Sequence, residues 1–304
     1  MNELGRFDFV IIPESWDDET RQVCLRLEPN PERYDLVRIE GREYFLDRIS
    51  NTLFLAEEIY TQMLNFGGKG IHFLEPTVTE QHAYSLKRRA ALTRQLQSGH
   101  YEQPEEKAKK HLSPTDNSVA RNFVFLSMDV CGSTVLRKAG APSFDKSLNI
   151  LFQELATLVG QYHGFVHKFT GDGFIAVVDY PAFTSQCDAG AYLGLAMLYQ
   201  LANAINPALI DEALPPLSIR IGIEFGEATV RRIHIPATEA VQVDFVSDAL
   251  NQCVKIQESC SPNQVRIGQG IHGLMHTSLA LRAKVVEFDG GCVGDGNYKV
   301  YQLE

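Results

Sequence analysis

Runs of apolar residues along the chain follow two spacings, one typical of helices and one typical of strands. Residues 123–128 (FVFLSM) form a nearly continuous apolar run, which favours a buried strand. Helical spacing predicts helices at about residues 52–66, 80–97, 142–162, 184–205 and 247–258. Two short apolar runs lie at residues 7–12 and 23–27. Further strands are predicted at residues 164–178 (a hairpin), 217–223, 241–246, 264–267, 284–288 and 298–303. Runs of strands with helices packed to one side predict an α+β fold.

A polar stretch separates a small first part of the chain from a larger second part. Residues 101–120 hold Pro104, Pro114, a cluster of charges and almost no apolar side chains, a composition typical of a linker. The sequence therefore predicts a small N-terminal domain over residues 1–100 and a second domain over residues 121–304. A length of 304 residues suits two domains of this kind.

Composition and charge narrow the classes of function. The chain has 28 Lys and Arg against 38 Asp and Glu, and its net charge of −10 argues against general attraction to nucleic acid or anionic lipid. No apolar run approaches the ~20 residues of a membrane-spanning helix, and the first residues lack the pattern of a secretory signal. We expect a soluble cytoplasmic protein with no membrane or nucleic-acid partner.

Two aspartates stand where predicted strands end in turns. Asp129 follows the apolar run and precedes a Gly-Ser-Thr turn at 132–134, whereas Asp172 lies between two glycines that allow a tight turn. Two carboxylates at neighbouring strand ends suit two divalent ions, Mg²⁺ or Mn²⁺. The turn at 132–134 would present main-chain N–H groups to phosphate at a helix start. Taken singly, Asp129 could instead cap a helix, and Asp172 could form an Asx turn.

The order of these motifs resembles a known family. Residues 121–303 are similar to the catalytic domain of class III nucleotide cyclases, the family of adenylate and guanylate cyclases. The resemblance rests on four segments: MDVCGST at 128–134, KFTGDGF at 168–174, SIRIGIEFGE at 218–227 and DFVSDALNQCVK at 244–255. It implies the family's ferredoxin-like α+β fold, an antiparallel-rich sheet with helices.

The resemblance also implies roles for single residues. Those matching the family's metal site are Asp129, Val130 and Asp172. Those matching its substrate-binding groups are Gly132, Ser133 and Thr134 at the phosphates, Arg220 at the triphosphate, and Lys168 and Asp244 at the base. Those matching its catalytic pair are Asn251, which orients the ribose, and Lys255, which stands where the family has an arginine. Lysine keeps the positive charge but loses the planar guanidinium fork. Glu224 stands where the family has a small or aromatic residue, and the sequence offers no reason for it.

By this resemblance the protein is a nucleotide cyclase. The reaction converts a ribonucleoside triphosphate into a 3′,5′-cyclic mononucleotide and pyrophosphate, with two divalent ions, Mn²⁺ or Mg²⁺, as cofactors. The family combines residues of two subunits in each site, which implies a homodimer with composite active sites. One small domain before one cyclase domain is a layout similar to the pyrimidine cyclases of bacterial Pycsar anti-phage systems. We therefore favour UTP or CTP as the substrate.

Several alternatives stay open at this point. Lys168 as a donor and Asp244 as an acceptor suit adenine, cytosine and uracil alike, so an adenylate cyclase is the first alternative. A degenerate domain that binds nucleotide without turnover is the second. Residues 1–100 could bind a sensor ligand or a partner with either function.

Other polar side chains have simpler interpretations. His272 and His276 have the spacing of metal ligands but lack a third ligand nearby, so a packing role is favoured. The basic residues 87–89 and Arg94 predict a solvent-exposed helix face. We interpret His167, next to the base-reading lysine, as structural.

Overall fold

The structure, a computed structural model, describes residues 6–18, 22–65, 76–107, 120–179 and 183–304. Its strands are β1 (Phe9–Asp17), β2 (Gln22–Pro29), β3 (Tyr34–Ile39), β4 (Arg42–Asp47), β5 (Leu53–Leu55), β6 (Arg121–Val130), β7 (Gly164–Phe169), β8 (Gly173–Val178), β9 (Ile219–Ile235), β10 (Ala240–Val246), β11 (Gln264–Gly268), β12 (Ala283–Val286) and β13 (Val300–Leu303). Its α-helices are α1 (Ala56–Asn65), α2 (Gln81–Ser98), α3 (Ser133–Gln161), α4 (Phe183–Gln200), α5 (Asn206–Asp211), α6 (Asp248–Glu258), α7 (Gln269–His272) and α8 (Thr277–Ala280). A π-helical segment, Leu201–Ile205, joins α4 to α5, and a 3₁₀ helix covers Gly290–Val293.

The chain forms two compact units, which divide it at places other than the predicted boundary. The smaller unit comprises residues 1–73 with 273–281, and the larger unit comprises residues 74–272 with 282–304. Helix α2, which the prediction places in the first domain, therefore belongs to the larger unit. The described part of the predicted linker also belongs to the larger unit. There the carbonyl oxygen of Glu102 accepts a hydrogen bond from Arg88 of α2 at 2.7 Å. The rest of that linker, residues 108–119, lies outside the described residues.

The smaller unit is built from two small antiparallel sheets and helix α1. Strand β1 pairs with β2, and β3, β4 and β5 form a three-stranded sheet in chain order. Tyr34, Phe45, Ala56 and Ile59 form the buried core, and the ring of Phe7 stacks on Tyr34 with 4.1 Å between the centroids. Removing these aromatic surfaces from water is the main stabilising contribution in a unit of this size.

A buried arginine binds the returning segment 273–281 within the smaller unit. Arg33 is fully buried, and its guanidinium donates to Asp47 at 3.0 and 2.8 Å. It also donates to the carbonyl oxygens of Gly273 at 2.7 Å and Met275 at 2.9 Å. A buried charge is strongly destabilising unless it is paired and hydrogen-bonded, and these partners meet that requirement. Segment 273–281 is therefore an integral part of this unit.

An eight-stranded mixed sheet forms the centre of the larger unit. The strand order is β12-β13-β11-β9-β6-β8-β7, and β10 pairs with β9. Strand β6 lies in the middle, antiparallel to both β8 and β9, whereas β11 runs parallel to β9. The antiparallel-rich α+β fold class is thus confirmed.

Helices cover both faces of this sheet, in contrast to the single helical layer expected. Helix α4 packs on one face, where Gly190 and Gly194 come too close to β-strand side chains such as Val124 to accept a Cβ. Helix α6 packs on the other face, where Cys253 joins a cluster with Phe125. Successive residues of a strand face opposite sides of the sheet, so Val124 and Phe125 mark the two faces. The packing of Cys253 in one cluster with Phe125 holds α6 against the central strand β6.

The basic face of α2 differs from the prediction at one position. Arg88 is buried and pairs with Glu154 of α3 at 3.0 and 2.6 Å. Lys87, Arg89 and Arg94 are exposed, as expected, and pair with surface carboxylates. The buried ion pair holds α2 against α3, and a sequence pattern alone does not distinguish it from the exposed neighbours.

One helical stretch, Ser185–Asp211, is long and apolar enough to cross a membrane, although no such run was expected from the sequence. More than half of its central window is buried inside the protein. Cys187, Leu193 and Met197 of α4 are fully buried in the larger unit. A buried core helix of a globular domain can have the length and composition of a membrane-spanning helix, and this burial explains why Ser185–Asp211 resembles one.

Candidate active site

Asp129 and Asp172 lie side by side because two strands approach closely at their ends. In the pairing of β6 with β8, Asp129 stands opposite Gly173, and the Val130 N–H donates to the Asp172 carbonyl oxygen at 3.3 Å. A Cβ at Gly173 would collide with the carbonyl oxygen of Met128, and Gly171 has a φ of +90°. Both glycines are therefore needed for the turn that carries Asp172.

Arg220 is bound to the first of these aspartates. In the pairing of β6 with β9 it stands opposite Asp129, and its Nε and Nη2 donate to Asp129 Oδ2 at 3.1 and 2.8 Å. Burial raises the pKa of Asp129, and repulsion from Asp172 adds to it, so the pKa lies above its ordinary value although the bonds from Arg220 oppose the shift. The site thus holds two close carboxylates with one guanidinium.

The predicted phosphate-binding turn leads directly from these carboxylates into α3. Gly132 has a φ of +69°, and its carbonyl oxygen accepts hydrogen bonds from the N–H groups of Val135 and Leu136. Ser133 and Thr134 occupy the first turn of the helix, where main-chain N–H groups have no acceptor within the helix. Such a helix start favours an anion.

A second group of polar residues lies where β7 meets β10. Lys168 Nζ and His167 Nε2 both contact Oδ1 of Asp244, at 3.3 and 2.9 Å, and the Phe245 N–H donates to the same oxygen at 2.9 Å. Partial burial of Asp244 raises its pKa, but the hydrogen bonds from His167 and Phe245 and the charge of Lys168 outweigh burial and leave the pKa below its ordinary value. Asp244 is therefore an ionised acceptor near neutral pH.

His167, Lys168 and Phe245, the three residues that contact Asp244, line a cavity of about 280 Å³. Its lining consists of Phe165, His167, Lys168, Val241, Gln242, Val243 and Phe245. The cavity has aromatic and aliphatic walls with a few polar groups, which is the usual composition of a site for a small organic ligand.

Helix α6 presents Asn251 and Lys255 to a separate cavity of about 340 Å³. The cavity is also lined by Asp248, Gln252, Cys292 and Val293. Ser247 caps the helix by accepting from the Leu250 N–H at 3.4 Å, which fixes where its first turn begins. Lys255 Nζ donates to Glu258 at 2.9 Å, and this bond raises the lysine pKa. Lys255 is therefore a cation in the lining of this cavity.

A family model described as the adenylate and guanylate cyclase catalytic domain matches residues 119–304. This chain belongs to that family. The fold is similar to that of the adenylyl cyclase CyaB from P. aeruginosa, with 17% identity over 61% of this chain and 95% of that chain, at a TM-score of 0.54. It is also similar to the guanylyl cyclase Cya2, with 20% identity over 61% and 93% of the two chains, at a TM-score of 0.51. The guanylate cyclase domain of RhGC from Catenaria anguillulae in complex with GTP has 14% identity over 60% and 96%, at a TM-score of 0.51. Among curated proteins, none matches the chain significantly.

The carboxylates of this cyclase domain fit divalent ions. Asp129 and Asp172 repel each other, and a cation between them would relieve that repulsion. Among the described residues, no three His, Cys, Asp or Glu side chains are placed to hold one ion. The remaining ligands would then be main-chain oxygens such as that of Val130, together with water and substrate phosphates, a donor set that Mg²⁺ commonly has.

The cyclase domain brings its predicted residues together in separate groups. Hydrogen bonds join Asp129 to Arg220, and others join Lys168 to Asp244. In the part of the chain that the structure describes, no direct hydrogen bond or ion pair joins either group to Asn251 or Lys255. Arg220 does contact α6, because it donates to the carbonyl oxygen of Glu258 at the end of this helix at 3.3 Å.

Two residues of these groups were not expected from the sequence. His167 contacts Asp244 Oδ1 through Nε2 at 2.9 Å, whereas its place in the sequence predicts only a structural role. Its position directly before Lys168 was a signal, but regular strand alternation would place the two on opposite faces. Cys292 lines the cavity beside Lys255 from a 3₁₀ helix that no periodic pattern indicates.

Proposed function

We propose that this cyclase domain converts a ribonucleoside triphosphate into a 3′,5′-cyclic mononucleotide and pyrophosphate. The observation that carries the proposal is the proximity of Asp129, near the end of β6, to Asp172, in the turn before β8, next to a helix start that suits phosphate. In this reaction the ribose 3′-oxygen attacks the α-phosphorus, the bond to the β-phosphate oxygen breaks, and the 3′-OH proton is lost to solvent. Catalysis of such a transfer consists mainly of positioning and charge stabilisation.

The first group of residues holds the triphosphate. Asp129, Asp172 and the carbonyl oxygen of Val130 would hold two Mg²⁺ or Mn²⁺ ions. When bound, these ions lower the pKa of the 3′-OH and neutralise charge on the leaving pyrophosphate. The N–H groups of the turn at 132–134 bind phosphate oxygens, and Arg220 adds a positive charge from beside Asp129.

Helix α6 supplies the second group. Asn251 orients the ribose, and Lys255 stabilises the charge that develops on the α-phosphate. Lys255 is exposed and paired with Glu258, so it can leave this partner for a phosphate at little cost. The ammonium provides a point charge where a guanidinium would provide two parallel hydrogen bonds.

The complete site forms in a homodimer, with the metal-binding group of one copy facing the base-reading and α6 groups of the other. The chain carries both sets of residues, so a head-to-tail pair contains two equivalent sites. The separation of the groups within one chain supports this arrangement.

For the base, we favour a pyrimidine, with UTP or CTP as substrate and an anti-phage signalling role. Uracil offers N3–H to Asp244 and O4 to Lys168, and cytosine offers its N4 amino group and N3 to the same pair. The resemblance in layout to pyrimidine cyclases supports this choice. The second candidate is an adenylate cyclase, because adenine N6 and N1 also suit an ionised Asp244 beside Lys168.

A direct assay tests both levels of the proposal. The protein is incubated with each of ATP, GTP, CTP and UTP plus Mn²⁺, and the products are resolved by mass. We expect a cyclic monophosphate from UTP or CTP and none from the Asp129→Asn variant. Turnover of ATP alone would refute the pyrimidine assignment. Consumption of no triphosphate, or full activity in Asp129→Asn, would refute the cyclase proposal.

A further inference from the structure

An irregularity in β7 places two consecutive side chains on one carboxylate. In the pairing of β7 with β8, Val166 stands opposite Ala176 and Lys168 opposite Ile175, so His167 is an extra residue in the strand. In a regular strand the side chains of His167 and Lys168 would point to opposite faces. Because of the bulge, both reach Oδ1 of Asp244.

The three hydrogen bonds to the Asp244 carboxylate all end on the same oxygen, Oδ1. His167 Nε2 and the Phe245 N–H lie 2.9 Å from Oδ1, and Lys168 Nζ lies 3.3 Å from it. Among the described residues, no hydrogen bond ends on Oδ2. The Asp244 side chain is about one-third exposed, so Oδ2 is open to a ligand.

His167 is the most constrained of these donors. Its side chain is only 8% exposed and packs edge-on against the ring of Phe245, with 5.0 Å between the centroids. Lys168, in contrast, is 40% exposed and makes the longest bond. An ionised carboxylate can only accept, so Nε2 of His167 carries the hydrogen of this bond.

We propose that His167 is a positioning residue for base recognition, which holds Asp244 so that Oδ2 faces the base. This inference rests on the proposed function, in which Lys168 and Asp244 read the base. When Lys168 turns to an acceptor on the base, His167 and the Phe245 N–H still hold Oδ1. The carboxylate therefore keeps its orientation and selects a base that presents an N–H group to Oδ2. Without His167, the carboxylate rotates more freely and discriminates less between bases.

Two variants of His167 separate positioning from packing. His167→Phe keeps an aromatic ring against Phe245 but removes the donor, whereas His167→Gln keeps an N–H donor at similar reach. The readout is selectivity, the ratio of kcat/KM for the preferred triphosphate to that for the next best. The Phe variant loses the hydrogen bond from His167 to the charged Asp244 carboxylate. Because hydrogen bonds to charged groups are the stronger ones, we expect selectivity to fall about tenfold, mainly through KM. The Gln variant should stay close to the wild type.

A matched control and a binding assay complete the design. His82 of α2 contacts Tyr199 Oη at 2.9 Å on the surface, so His82→Phe removes one histidine hydrogen bond elsewhere and should leave selectivity unchanged. Titration calorimetry with 3′-deoxynucleoside triphosphates, which cannot cyclise, measures the same discrimination as a ratio of Kd values. This ratio does not depend on turnover.

The outcomes distinguish the inference from the proposed function. If the wild type turns over a triphosphate but the folded Phe variant keeps full selectivity, or Phe and Gln lose it equally, the inference is wrong and the cyclase proposal stands. If nothing is turned over, the cyclase proposal fails, and the Kd ratios still decide the role of His167. Absence of any nucleotide binding overturns both.

A measurement on the wild type covers the case in which the Phe variant does not fold. In ¹⁵N-histidine spectra, the resonance assigned to His167 by its loss in the Gln variant should show a protonated Nε2. It should shift in Asp244→Asn. An unprotonated Nε2, or no shift, would overturn the inference.

Discussion

Glu224 is a buried carboxyl group whose titration should be visible in the stability of the protein. It lies on β9 with 1% of its surface exposed, and its Oε1 accepts the N–H groups of Phe225 at 2.7 Å and Ile271 at 2.9 Å. Among the described residues, Oε2 has no hydrogen-bond partner, and neither does the nearby hydroxyl of Tyr298. Burial raises the pKa of Glu224 to about 7, although the main-chain N–H groups oppose the shift.

The raised pKa predicts the size and the sign of a pH effect. In the unfolded chain Glu224 loses its proton near its ordinary value of 4.5, whereas in the folded protein it keeps the proton until about pH 7. The native state therefore binds more protons in this window, so the contribution of Glu224 to stability is complete below pH 4.5 and declines as the pH rises to 7. At 1.36 kcal/mol per pKa unit, the decline amounts to about 3 kcal/mol.

The variant Glu224→Gln removes this titration and keeps an acceptor for the main-chain N–H groups. Urea unfolding of both proteins between pH 4.5 and 8 gives the difference in unfolding free energy, in which all other groups cancel. We expect the unfolding free energy of the variant, relative to that of the wild type, to rise by about 3 kcal/mol as the pH increases across this range. The exposed Glu227 on the same strand supplies the matched control, Glu227→Gln, which should show no comparable rise. A difference for Glu224→Gln that does not change with pH would refute the reasoning.

Three further predictions follow from the described contacts. Asp172→Asn should lower cyclase activity at least about a hundredfold with an unchanged melting temperature, since a metal-held charge supplies several kcal/mol; retained product formation would contradict the metal role. Lys255→Arg should raise kcat several-fold, because the guanidinium can bind two phosphate oxygens at once; an unchanged kcat would argue against its transition-state role. Arg88→Met leaves Glu154 buried and unpaired and should cost about 3–5 kcal/mol in urea unfolding, most of which Glu154→Leu in the same chain should restore; failure of the double variant to recover would contradict the pairing.

The sequence predicted the parts of the fold whose signals are local. The apolar run at 123–128 lies within the central strand β6, because a strand buried on both faces has no need of polar alternation. Helix α6 begins where Ser247 supplies a cap and ends as predicted at Glu258. The sequence also predicted that Asp129 and Asp172 stand at neighbouring strand ends, and the pairing of β6 with β8 places Asp129 opposite Gly173, the residue after Asp172.

Features that depend on distant partners could not be predicted in this way. Arg33 and Arg88 look like surface residues in the sequence, but each is neutralised by a carboxylate on another element, Asp47 and Glu154. Strands β3 and β4 were missed, because they are short and their apolar side chains alternate only weakly. The role of His167 depends on a bulge, and one extra residue in a strand leaves no trace in composition.

The return of residues 273–281 to the smaller unit limits how this protein can be divided. The chain passes from one unit to the other at residues 73–74, 272–273 and 281–282. A fragment cut at residue 119, where the family match begins, would retain Thr277 without Asp8, which accepts both its N–H and its hydroxyl group, at 2.8 and 2.7 Å. Recombination that exchanges the N-terminal unit for another would therefore have to carry a matching insert between α7 and β12, so this unit is not a freely exchangeable module.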